Sequence, residues 1–142
     1  MEDIKDLLNN MKPGIGEAAI KEAEKQLGVT FPKQYKELFK VVNNPEIGDW
    51  VLYPIKDPTN LKKTWDDIVR QNGEVRVDYM SKDLIAIGDD GSGDCLCMKV
   101  CDGRMGDEIY IWYHEDGEIE EYAPNLREFI VMISEEDDWD DE

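Results

Sequence analysis

The stretch LIAIGDDGSGDCLCMKV, residues 84–100, decides how this chain folds. Leu84–Ile87 and Cys95–Val100 are short apolar runs of the kind that form strands. Between them, Asp89-Asp90-Gly91-Ser92-Gly93-Asp94 is turn chemistry, with Gly91 and Gly93 suited to positive φ. Two such runs joined by such a loop predict an antiparallel pair with an exposed acidic tip where the strands meet.

The same pattern continues downstream. Glu108–Tyr113 and Ile119–Tyr122 are further short runs, and Asp102-Gly103 and Asp116-Gly117 mark turns. A last helix, from about Asn125 to Ser134, places Leu126, Phe129, Ile130 and Ile133 on one face. Upstream of residue 84 the period is helical. Ile4, Leu7, Leu8 and Met11 share a face, and Pro13-Gly14 ends that segment. Ala19, Ile20, Ala23 and Leu27 mark a second helix from Glu17, closed by Gly28. Pro32 opens a third through Tyr35, Leu38, Phe39 and Val42, and Asn43-Asn44-Pro45 stops it. Trp50–Tyr53 reads as a strand, and residues 59–71 as a helix through Leu61, Trp65, Ile68 and Val69. Helices, then strands, then a helix predict a single α+β domain over residues 1–134, with N-terminal helices, a central antiparallel sheet and a C-terminal helix.

The chain has 142 residues and a formal net charge of −18, from 34 Asp+Glu and 16 Lys+Arg. That charge is polarised along the sequence: residues 1–80 carry 14 acids and 12 bases, and residues 81–142 carry 20 acids and 4 bases. Phosphate contacts need Lys and Arg, so the balance argues against nucleic acid as a partner. An anionic membrane surface is disfavoured for the same reason. Such a field attracts a basic protein and speeds that encounter. The stretch 135–142 is the most acidic, and such blocks repel themselves; it is expected to be a disordered tail.

No run approaches the roughly 18 apolar residues of a membrane span. The start, Met1-Glu2-Asp3-Ile4-Lys5-Asp6, lacks the basic and apolar regions of a signal peptide. A cytoplasmic location is expected, and the odd cysteine cluster Cys95, Cys97 and Cys101 agrees with it.

Catalytic and metal motifs are weak. Cys95-x-Cys97-x3-Cys101 with His114 lacks the paired C-x2–4-C spacing of structural zinc, and buried strand cysteines are the simpler reading. The Asp89–Asp94 loop lacks the distal Glu of a calcium loop and lies between strands. His114 has no apparent Ser or Cys partner. There is no Walker loop, no G-x-G-x-x-G and no H-E-x-x-H. No catalytic residue, cofactor or metal is therefore expected.

Three segments do carry a resemblance. EAEKQLGVTFPKQYKELFKVVN, Glu22–Asn43, is similar to the signature of the SUKH superfamily, the Smi/Knr-like proteins: an acidic amphipathic helix leading into Phe31-Pro32, Tyr35 and Leu38-Phe39. LIAIGDDGSGDCLCMKV resembles that family's strand, glycine-rich turn and strand, through Gly88, Gly91, Gly93 and Asp94. DEIYIWYHEDGEIEEYAPNLREFI resembles its closing hairpin and helix, so the likeness spans about residues 15–133. The resemblance implies an α+β domain that binds proteins and does no chemistry. Many bacterial members are immunity proteins that neutralise polymorphic toxins, often nucleases; others resemble a fungal regulator of cell-wall synthesis. The cysteine trio and the acidic tail are not family-wide marks.

Joined to the charge asymmetry, the resemblance implies a basic toxin domain as partner. The candidate contacts are Asp89, Asp90 and Asp94 on the glycine-rich turn, Glu115 and Asp116 on the hairpin, Glu46, Asp49 and Trp50 on the earlier loop, and Asp138, Trp139 and Asp140 in the tail.

Overall fold

The computed structural model describes residues 2–8, 12–73 and 80–140. A 3-10 helix, Glu2–Leu7, stands where the first helix is expected, and Met11 lies outside the described residues. Two α-helices follow, α1 (Glu17–Leu27) and α2 (Lys33–Val41). Gly28 ends α1 in the left-handed conformation, φ 70°, and its N–H donates back to the Glu24 and Lys25 carbonyls. The Glu24 carboxylate then accepts from the Phe31 N–H at 2.8 Å, so the side chain of one helix sets the entry to the next.

The sheet contains β1 (Glu46–Ile47), β2 (Trp50–Leu52), β3 (Leu84–Asp89), β4 (Cys95–Cys101), β5 (Arg104–Met105), β6 (Ile109–Trp112) and β7 (Ile119–Ala123). Its order is β1-β2-β3-β4-β6-β7, all antiparallel, with β5 paired to β4. This is the α+β arrangement expected. A four-residue helix, α3 (Ile68–Gln71), precedes β3, and α4 (Leu126–Asp140) closes the chain.

Two expectations are corrected in detail, and two short strands are added. The helix predicted over residues 59–71 is a series of turns up to residue 66 and a single helical turn after it. Side chains intercept the backbone there. Asp57 Oδ1 accepts from the Thr59 N–H, the Thr64 hydroxyl accepts from the Asp57 N–H, and Asp67 caps a fresh start by accepting from the Val69 N–H. β1 and β5, two residues each, were too short to register as patterns. The last helix continues past Ser134 to Asp140, so its hydrogen bonding outlasts its apolar face.

Helices and sheet share one core. Phe31, Tyr35 and Phe39 stack in series, with centroids 4.7 and 4.4 Å apart, and Leu126, Phe129, Ile130 and Ile133 are buried from α4. The segment before α1 lies directly on α2. Ile15 N–H donates to the Phe39 carbonyl at 2.8 Å, and Asn43 N–H donates to the Pro13 carbonyl at 2.9 Å. Gly14 must be glycine there, because a Cβ would stand 1.9 Å from the Lys40 carbonyl oxygen.

Tyr35 is wholly buried, and its hydroxyl has no hydrogen-bond partner among the described residues. Burial drives its phenol far above the ordinary range. Removing an unpaired buried hydroxyl removes a desolvation cost. Tyr35→Phe is therefore expected to leave the unfolding free energy unchanged or raise it, by up to about 1 kcal/mol. Urea unfolding checks this, and a loss above about 1 kcal/mol would show that the hydroxyl is paired after all.

Two asparagines bind backbone in two-pronged fashion. Asn43 is buried; its amide donates to the Ile55 carbonyl at 3.0 Å and accepts from the Ile55 N–H at 2.9 Å. Asn72 does the same to Ala86, donating and accepting at 2.8 Å. Asn72 stands in for a strand beside Ala86 of β3, and Asn43 does so for Ile55, just past β2. These brackets tie the helical half of the chain to the sheet.

Candidate functional site

Register places three turns at one end of the sheet. Val51 pairs with Asp89, so the turn between β1 and β2 (48–49) lies beside the end of β3. Cys95 pairs with both Asp89 and Trp112, so the β3–β4 turn (90–94) lies beside the β6–β7 turn (113–118). Six strands at about 4.8 Å spacing make this end about 24 Å wide.

Residues 46–52, 89–95 and 113–119 hold Glu46, Asp49, Asp89, Asp90, Asp94, Glu115, Asp116 and Glu118, and no Lys or Arg. Asp49, Glu115, Asp116 and Glu118 are exposed; the other four are half-buried. The fold thus gathers all the loop acids singled out above and adds Glu118, which sequence spacing alone did not favour. Trp50 is half-buried and packs against the core, so only part of its ring faces outward. Asp138, Trp139 and Asp140 lie on the last turns of α4, a helix that starts at the other end of the sheet and packs on β1.

Several of these carboxylates are held in place. The Tyr53 hydroxyl donates to Asp89 Oδ2 at 2.9 Å. Asp90 Oδ1 accepts from the Ser92 N–H and hydroxyl, at 3.0 and 2.6 Å, and Asp116 Oδ1 accepts from the Glu118 N–H at 2.9 Å. Asp94 links two turns: its Oδ1 accepts from the His114 N–H at 3.1 Å and lies 2.6 Å from His114 Nδ1. Such turns leave the acids pre-oriented, which reduces what must be ordered on binding. The sequence places Tyr53 in a strand and gives His114 no apparent partner. Their role as carboxylate partners depends on residues 36 and 20 positions away, which no local pattern reveals.

The His114 amide, and then its ring, hold the Asp94 carboxyl below its ordinary value of 3.8, with slight burial opposing. A depressed folded-state value means the stabilisation is whole above pH 3.8 and fades as the pH falls through the lower folded value. The stability gap between the protein and Asp94→Asn is therefore expected to be constant from about pH 6 to 4.5 and to narrow from about pH 4 downward. Urea unfolding across that range checks it. A gap indifferent to pH would detach Asp94 from its ionised role.

Cys95 lies 3.9 Å from the Tyr53 hydroxyl, and burial pushes its thiol up to about 11, with Asp89, Asp94 and Asp90 adding to the effect and Tyr53 opposing. It stays protonated at neutral pH and is a poor nucleophile. Cys97, next on the same face of β4, is buried, and Cys101 is exposed. Among the described residues, no group of three or more His, Cys, Asp or Glu could hold a metal ion. No helix among them is long and apolar enough to cross a membrane.

The sequence model of the SMI1 / KNR4 family (SUKH-1) matches residues 14–132, and the chain belongs to that family. No curated protein matches the chain.

Proposed function

We propose that this SUKH-1 protein is a non-catalytic immunity protein that binds a cognate basic toxin domain, of the nuclease kind, through the acidic end of its sheet. One observation carries the reading: three turns distant in sequence bring eight carboxylates, with no Lys or Arg of their own, to a single edge, which Lys63 borders at Asp89. Eight charges over about 24 Å is one per about 3 Å, close to the one per 3.4 Å of helix axis that a single DNA strand carries. A nuclease groove built for phosphates is complementary to such an edge, and a bound inhibitor would shut out substrate.

The acidic stretch 135–142 is read as a steering segment that raises the encounter rate, with Trp139 as a contact once the partner is docked. A cytoplasmic protein of this kind would meet the toxin inside the cell. The experiment is binding of the purified protein to the toxin domain encoded beside it, at about 50 and 300 mM salt. A surface-charge mechanism predicts affinity at least tenfold weaker at the higher salt. Binding indifferent to salt would sink the electrostatic reading. A regulatory module of the Smi/Knr type instead predicts no neighbouring toxin gene and no growth rescue on co-expression.

A further inference from the structure

Leu61 and Trp65 are the most exposed large apolar side chains among the described residues, at 53% and 64%. Both stand on the turns that replace the expected helix. The Arg70 guanidinium lies over the Trp65 ring, 4.0 Å from its centroid, and bonds Asp66 Oδ1 at 3.0 Å. The ring is therefore held in a fixed place while its outer face remains in water.

Beside this knob is a hole. A groove of about 330 Å³ between α1 and the 56–69 segment is walled by Ile15, Ala18, Ala19, Ala23, Pro58 and Val69. It adjoins a second hollow of about 380 Å³ bordered by Leu61 and Trp65 themselves; Lys56 and Val69 line both. The small residues of α1 create the space. A knob and a hole side by side on one face are what a two-fold interface requires, since each copy can offer its knob to the other's hole.

The charges favour the same occupant. Lys62 adjoins the knob in sequence, while Lys63 lines a separate hollow with Asp89; Glu22, Asp57 and Asp67, with Lys56, line the hole. Exchanging knobs brings Lys62 of one copy against the carboxylates of the other. Residues 56–71 carry four bases and three acids, so this face lacks the strong negative charge of the last 62 residues.

We infer that this face pairs two copies of the chain as a two-fold dimer, with Trp65 and Leu61 of each seated in the α1 groove of the other. An aromatic side chain buries about 150–250 Å², and a stable interface needs about 800 Å² per partner, so the dimer is expected to be weak. Its salt dependence should also be the reverse of toxin binding: repulsion between two copies of net charge −18 outweighs the few lysine–carboxylate contacts across the interface, so added salt strengthens their pairing. That difference in sign separates this inference from the function proposed above.

Sedimentation velocity on the full chain, from about 5 to 500 μM, is the test. The mass should rise from 16.4 kDa towards twice that value, with more dimer at about 300 mM than at 20 mM salt. Trp65→Ala removes the knob. Ala18→Gln, at an exposed position of α1, obstructs the hole without changing any charge, so added repulsion cannot explain a loss. Each should weaken the dimer at least tenfold with an unchanged circular dichroism spectrum. A chain that stays monomeric at 500 μM in 300 mM salt, or a dimer that neither variant weakens, overturns the inference.

Discussion

Replacing Asn43 by leucine is expected to lower the unfolding free energy by about 4 kcal/mol. The size of leucine suits the site, so volume is not the cause. The cause is Ile55, whose N–H and carbonyl both bond the Asn43 amide and would both be stranded at a wholly buried position. Each orphaned backbone group costs about 1–3 kcal/mol. Exposed Asp49, three residues before β2's end, offers a control: Asp49→Ala should stay within about 0.5 kcal/mol. Chemical unfolding of the three proteins measures both. A loss under about 1 kcal/mol for Asn43→Leu would mean that Ile55 finds other partners, and the bracket would then be incidental.

The second large effect follows from the proposed binding of a basic toxin domain at the acidic end of the sheet. Asp49→Lys and Glu115→Lys, combined with Asp90→Asn and Asp116→Asn, change the acidic end by six charge units. Asparagine keeps the side-chain oxygen that Asp90 and Asp116 give to their own turns, so the loops should hold their shape. At roughly 0.7 kcal/mol per unit for solvent-exposed charges, the toxin-domain affinity should fall about a thousandfold. Most of the change at low salt should lie in the association rate. The unfolding midpoint should stay level or rise, because like charges are being separated. Less than a tenfold loss of affinity, with the fold intact, would move the binding surface elsewhere on the molecule.

How much of this was legible in advance differs from residue to residue. The helix through Tyr35, Leu38 and Phe39 and the αL glycine at position 28 follow from spacing and backbone sterics, both local properties. The strand pair around residues 84–100 was equally plain, because Gly91 and Gly93 left the chain little else to do. Residues 59–71 were misread because their apolar spacing suits a helix while Asp57, Thr64 and Asp67 bond the backbone in other ways. Periodicity counts side-chain polarity and is blind to that competition. For the same reason Trp65, assigned to an apolar helical face, is left exposed over Arg70.

By itself, the sequence determined the α+β class, the order of the main elements, the family likeness and the imbalance of −16 in the last 62 residues. These depend on period, turn chemistry and composition, which act over a few residues. Only the tertiary structure decided that the turns at 48–49, 90–94 and 113–118 share one edge, that Tyr53 and His114 hold Asp89 and Asp94, and that Asn43 stands in for a strand at Ile55. Each of those is a pairing across many residues, fixed by strand register. A shift of one residue in that register would turn every side chain of a strand to the other face.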